Sequence, residues 1–164
     1  METLRWRAMV PGDLPAVVAL ADALFSDHYE APERFAERLR ASPSLCRVLA
    51  RETGAIRGYW IAYPWPLGRV PPLNRPLPEP LADAGALYLH DLGLHPDARG
   101  HGHARQAVAD LAAGANAAAI ALVAVNGSSA FWAAQGFCEA PYDSVVAEKL
   151  EGYGPDARYM IRRP

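Results

Sequence analysis

The segment "ALYLHDLGLHPDARGHGHARQAVADLAAGA" (86–115) changes character twice within thirty positions. Its first part, "ALYLHDLGL" (86–94), reads as a strand, and "HARQAVADLAAGA" (103–115) reads as a helix with small residues on its packing side. Between them "HPDARGHGHAR" (95–105) carries Gly100 and Gly102. A strand, a glycine-bearing turn and a helix aim successive backbone N–H groups, and the positive end of the helix, at one point. The two glycines let the backbone approach a ligand where a Cβ would push it away. The order of elements therefore predicts an α/β chain with an anion site at this turn.

Two common phosphate motifs do not fit. A Walker loop needs G-x-x-x-x-G-K-[ST], and no lysine follows here. A dinucleotide fingerprint needs G-x-G-x-x-G/A, but Arg105 stands at the third glycine, and "AIALVAV" (119–125) ends without an acid to hold a ribose. The rival reading is a metal held by His95, His101 and His103, with oxygens from Asp91 and Asp97. Catalytic zinc draws its ligands from rigid, separated elements with outer partners. A turn that wraps an anion with its backbone sends its side chains outward, so no metal is expected.

The rest of the chain sets the frame. Of 164 residues, 51% are hydrophobic and 21% charged, a globular balance. A net charge of -2 gives no general attraction to nucleic acid or to an anionic membrane. Cys46 and Cys138 are too few for a disulfide framework or a zinc knuckle. The stretch "METLRWRAMVPGDL" (1–14) has no apolar core of signal-peptide length, and no apolar run reaches a membrane span. A reduced cytoplasm is the expected location.

Hydrophobic spacing places the other elements. "LRWRAMV" (4–10) alternates Leu4, Trp6, Ala8 and Val10 against Arg5, Arg7 and Met9, as a strand with one buried face. Asp13 is expected to cap a helix with Pro15 in its first turn and Leu14, Val17, Val18, Ala21, Leu24 and Phe25 as its apolar stripe. "PERFAERLR" (32–40) is a short charged helix. "LCRVLARE" (45–52) and "IRGYWIAYP" (56–64) are strands. "PWPLGRVPPLNRPLPEP" (64–80) has seven prolines and reads as a long, stiff loop, either a lid or binding element or a partly ordered surface excursion. "AIALVAV" is apolar on both faces, as a strand covered on both sides. "SSAFWAAQ" (128–135) gives a helix closed by Gly136, and "YDSVVAEKL" and "ARYMIRR" read as the last strands.

Arg99, Gly102 and Ala104, preceded by "LGLHP", resemble the acetyl-CoA pyrophosphate loop of the GNAT superfamily of acyl-CoA-dependent N-acetyltransferases. "RWRAMVPGDLPAVVALA" resembles the opening strand and helix of that family. "AVNGSSAFWAAQGF" resembles its fifth strand and fourth helix. The resemblance implies a single α/β (α+β) domain over 1–164. It would have a central mixed, mostly antiparallel sheet of about seven strands, with four helices in the order β-α-α-β-β-β-α-β-α-β-β. That sheet would splay between its fourth and fifth strands, and a proline-rich loop would occupy 64–82.

It also implies transfer of an acetyl group from acetyl-CoA, as co-substrate, to a primary amine. The backbone of Arg99, Gly100, His101, Gly102, His103 and Ala104 would hold the pyrophosphate. Leu92, Gly93 and Leu94 would meet the pantetheine arm, with Asn126, Ser129 and Trp132 beside it. His90 matches a position where many members carry a glutamate base; by strand alternation it shares a face with Leu92, and Asp91 points away. Many members place a tyrosine acid where this chain has Trp132, which leaves Tyr142 or water as the proton source. A non-catalytic CoA-binding sensor or partner-binding module is the alternative that Trp132 raises. The partners implied are acetyl-CoA and an amine-bearing acceptor, with no nucleic acid and no membrane, and with a homodimer open as an assembly.

Overall fold

The structure, a computed structural model, describes residues 3–78, 81, 83–114 and 117–164. Seven strands form one sheet: β1 (Arg5–Ala8), β2 (Cys46–Ala50), β3 (Ile56–Pro64), β4 (Ala86–Leu94), β5 (Ala119–Ala124), β6 (Cys138–Glu139) and β7 (Arg158–Arg162). Their spatial order is β1-β2-β3-β4-β5-β7-β6. Every neighbouring pair is antiparallel except β4 and β5, which run parallel. Five helices pack on the sheet: α1 (Leu14–Leu24), α2 (Pro32–Ala41), α3 (His103–Gly114), α4 (Ser129–Ala134) and α5 (Ser144–Glu151). The expected mixed sheet and its connectivity hold, with one helix more than expected. Ala115, the expected end of α3, and residues 79, 80 and 82 of the proline-rich loop lie outside the described residues.

Burial follows the two-layer logic of such a sheet. One face packs Tyr59, Ile61 and Tyr63 against Val17, Ala21, Phe35 and Leu39 from the first two helices, and against Val146 and Leu150 of α5. The other face packs Trp60, Ala62, Leu87 and Leu89 against Val108, Leu111 and Trp132. Alternate residues of the central strands thus enter different cores, which is why β5 reads as apolar on both faces.

Three local expectations are corrected. "SVVAEKLE" forms α5, not a strand: the Asp143 carboxylate caps it by accepting the Val146 N–H at 3.0 Å, and Val146 and Leu150 face the core four residues apart. β1 ends at Ala8, so the alternation does not continue; Met9 is buried and Val10 is half exposed. Asp13 stands before α1 but makes no side-chain cap bond there. Its carboxylate takes two bonds from Arg7, at 2.8 and 2.9 Å, and one from the Val10 N–H, bracing the strand against the turn. No helix among the described residues is long and apolar enough to cross a membrane.

Candidate functional site

β4 and β5 pair only at Ala86–Tyr88 with Ala119–Ala121. From Leu89 onward β4 remains bonded to β3, through Leu92 to Trp60, Gly93 to Tyr59 and Leu94 to Gly58, while its other edge has no strand partner. The sheet therefore splays, as expected, and the gap opens a cleft of about 770 Å³.

One end of this cleft is the glycine turn. Gly100 and Gly102 have φ of +80° and +82°, and an added Cβ on either would meet nothing within 4 Å, so their conformation is a backbone requirement facing open space. Among the described residues, the N–H groups of Gly100, His101, Gly102, His103 and Ala104 donate to no other backbone carbonyl. Arg99 departs from the expectation: its N–H closes a turn onto the Pro96 carbonyl at 3.2 Å, and its side chain reaches the Leu94 carbonyl. With the amino end of α3 behind them, these donors suit a pyrophosphate and match what a CoA cradle requires.

The middle of the cleft is lined by Leu92, Gly93 and Leu94 on one side and Asn126, Ser128, Phe131 and Trp132 on the other. Asn126 has φ of +55°, a turn conformation Asn tolerates. Ser128, not Ser129, faces the space, and neither His101 nor Tyr142 lines it. Tyr142 is half exposed. Trp132 is packed edge-on against Phe131 and Phe137, with ring centroids 5.0 and 5.5 Å away.

The opposite end contains the feature that alternation misplaced. The pairing of β3 with β4 shifts between Ile61 and Ala62, whose partners are Asp91 and Leu89, so His90 is an extra, bulged residue. Alternation reverses there. His90 and Asp91 share one face, while Leu92 packs in the core on the other. The strand glycine at 93 lies outside the bulge and marks a close approach: a Cβ there would lie 2.9 Å from Leu24 Cδ1 and 3.2 Å from Phe25 Cε2.

Both ring nitrogens of His90 are engaged, Nδ1 with the Tyr63 hydroxyl at 2.9 Å and Nε2 with Glu30 Oε1 at 2.7 Å. Its side chain is 2% exposed. Glu30 also takes both guanidinium nitrogens of the buried Arg38, and the Asn74 N–H at 2.8 Å. Burial alone would raise the Glu30 carboxyl, but the charge and hydrogen bonds of His90 and Arg38 outweigh it and hold it well below the usual carboxylate range. Asp91 accepts the Tyr59 hydroxyl on Oδ2 at 3.0 Å and lines the cleft. Burial pushes Asp91 above that range; nearby His90 opposes the rise and the Glu30 charge adds to it.

Donor atoms of Glu30, His90 and Asp91 lie within 4.8 Å of one another, the described cluster with metal-ligand chemistry. Arg38, Tyr63 and Tyr59 already bond these side chains, so the cluster is a hydrogen-bonded network. Of the turn histidines considered from the sequence, His95 accepts the Asp97 N–H on Nδ1, and the rings of His101 and His103 are 6.3 Å apart.

A family model described as the acetyltransferase (GNAT) family matches residues 14–137. Among solved structures, the chain is similar to N-acetylglutamate synthase from Neisseria gonorrhoeae complexed with coenzyme A and N-acetyl-glutamate, at 18% identity and a TM-score of 0.71. That match covers 99% of this chain and 35% of the synthase, so the chain spans about a third of its length. Ard1 from Thermoplasma volcanium is similar at 14% identity and a TM-score of 0.71, covering 98% of this chain and 97% of that one. The protein YhbS from Escherichia coli, in complex with CoA, is similar at 18% identity and a TM-score of 0.60, covering 99% and 82%. At such identities the likeness is one of fold. No curated protein sequence matches the chain.

Proposed function

Because the chain belongs to the GNAT acetyltransferase family, we propose that it moves an acetyl group from acetyl-CoA to a primary amine by direct attack in the cleft between β4 and β5. The observation that carries this reading is the chemical polarity of that cleft. One end offers five backbone N–H donors on a positive-φ turn, and the other offers a carboxylate beside a buried imidazole.

The N–H groups from Gly100 to Ala104 would hold the pyrophosphate. The open edge of β4 at Leu92 and Leu94, with Asn126 across the gap, would bond the pantetheine amides. An N–H on that edge would also stabilise negative charge developing on the thioester oxygen. Bound acetyl-CoA supplies the thioester carbonyl and a thiolate leaving group, which departs with modest help because such a thiol has a pKa of about 8.5.

The amine arrives as an ammonium and must lose a proton. His90 was the expected base, yet neither ring nitrogen is open, and it serves this reading better as the anchor that fixes Glu30 and Tyr63. Asp91 faces the cleft beside it, and its raised carboxyl suits proton removal, directly or through one water. Water in the cleft, not Tyr142, which does not line it, would return a proton to the thiolate.

The test is CoA release followed with a thiol reagent across a panel of amines, for the wild type and the Asp91→Asn and His90→Gln variants. Release that requires both acetyl-CoA and an amine supports the reading. CoA binding with no amine-dependent release would favour the alternative, a CoA-binding module without turnover.

A further inference from the structure

The hydrogen-bond inventory of the acceptor end points to a class of acceptor. Opposite the glycine turn, the cleft is lined by Leu24, Phe25, His28, Glu30, Leu73 and Tyr153, together with His90 and Asp91 of β4. We propose, resting on the transferase reading above, that the acceptor is an amine on an apolar carrier with no carboxylate or phosphate close to that amine. An alkylamine, an arylalkylamine or the amine of an amide-capped residue fits, and a free amino acid does not.

Each side-chain donor at this end is already engaged within the protein. The Tyr153 hydroxyl donates to the Pro71 carbonyl at 2.6 Å. Nε2 of His28 lies 2.7 Å from the Tyr153 carbonyl, which can only accept, so Nε2 carries the proton. Both nitrogens of His90 are bonded, and the Tyr59 hydroxyl is held by Asp91. Arg38 does not line the cleft and is 2% exposed: its two terminal nitrogens are fixed on both oxygens of Glu30, and its Nε is buried without a partner. Arg99 and Arg105 line only the glycine turn at the far end. The acceptor end therefore presents an anionic ligand with no free side-chain donor.

Acceptors are what remain. Tyr59 occupies Oδ2 of Asp91, which leaves Oδ1 for the cleft. His28 Nδ1 is buried without a partner, and in the neutral ring whose Nε2 is held by the Tyr153 carbonyl it would be an acceptor. An ammonium carries three N–H donors and matches this surplus. The α-carboxylate of an amino acid would instead stand beside Asp91 and Glu30, a like-charge contact that discriminates strongly in a water-poor site. Leu24, Phe25 and Leu73 then supply apolar contact for the body of the acceptor.

The experiment uses isothermal titration of the intact chain, first with CoA and then, on the CoA-saturated protein, with phenethylamine, phenylalaninamide or phenylalanine. These probes share one side chain and differ only at the carbon bearing the amine. Phenethylamine and phenylalaninamide should bind, with phenylalanine weaker by about tenfold or more, the scale of a like-charge contact. Asp91→Asn, which keeps an acceptor for Tyr59, should weaken phenethylamine by at least about tenfold and leave CoA affinity unchanged. Equal binding of phenylalanine, no binding by any of the three, or full retention of phenethylamine by Asp91→Asn would each overturn the inference while the CoA titration still supports the cleft. Failure of CoA itself to bind would overturn the transferase reading and this inference with it.

Discussion

Oε1 of Glu30 lies 2.7 Å from Nε2 of His90, so the connection between α1 and α2 is bonded directly to the bulge of β4. Neither side chain is more than 4% exposed, and Arg38 closes the network from α2. The wall of the acceptor end is thus positioned by one buried chain of charge rather than by apolar packing alone.

Removing the charge of Glu30 should be costly. Glu30→Gln keeps the shape but leaves the Arg38 guanidinium buried without its counter-charge, a change of about 3–5 kcal/mol. The pH dependence has a definite sign. The folded carboxyl titrates below its unfolded value of about 4.3, so the unfolded chain binds the proton first. The stabilisation is complete above that value and is lost as pH falls through about 4 and below. Urea unfolding of both proteins between pH 3 and 7 should show the gap between them narrowing on the acid side.

Coenzyme A should stabilise the folded protein through the glycine turn. At a concentration of about 100 times its dissociation constant, linkage gives about 2.7 kcal/mol. Gly102→Val forces a branched residue into φ of +82° and fills the approach to the N–H donors, and it should abolish that gain. Denaturation with and without CoA measures it, and a folded variant that keeps the full shift would displace the phosphate from this turn.

His90→Gln can still donate to Glu30 and accept from Tyr63, so it should retain kcat within about tenfold and keep the pH–rate profile. Asp91→Asn should lower kcat by roughly 10²- to 10⁴-fold, the range for a positioned base. Tyr142→Phe should change turnover by no more than about twofold, as for surface substitutions in general. Steady-state kinetics across pH separates the three, and the opposite ranking of His90 and Asp91 would return the base to the imidazole.

The two cysteines should differ sharply toward a thiol reagent. Cys138 is exposed, whereas Cys46 is buried, bonds the Ser42 carbonyl and is pushed up to about 12 by burial. The native chain should react at one thiol near pH 8 and the unfolded chain at two. Substituting Cys138 would therefore remove the background in the CoA-release assay.

The glycine turn was legible because its signals are local: a strand, two close glycines and a helix within a short span. The splay followed from the family resemblance those residues carry. The bulge was not legible. Nothing in "YLHDL" marks an extra residue, and the glycine at 93, three positions on, answers to close packing by Leu24 and Phe25. The paired valines of "SVVAEKL" favoured a strand, although Asp143 ahead of them and the Val146–Leu150 spacing were sufficient to find α5. Glu30 carries no local signal of its role, since its partners Arg38 and His90 are eight and sixty positions away.

The proline-rich segment is fastened by backbone groups to hydroxyls from distant parts of the chain. Its Gly68 N–H donates to Tyr159, its Pro71 carbonyl accepts from Tyr153, and Arg69 reaches Asp143. Over residues 68–71 the segment is tied to three distant points of the chain and works there as a strut. Grafting an unrelated loop between Pro64 and Ala86 would strand two largely buried tyrosine hydroxyls, so engineering a new acceptor preference has to proceed by side-chain replacement, at Leu73 first, on an unaltered backbone.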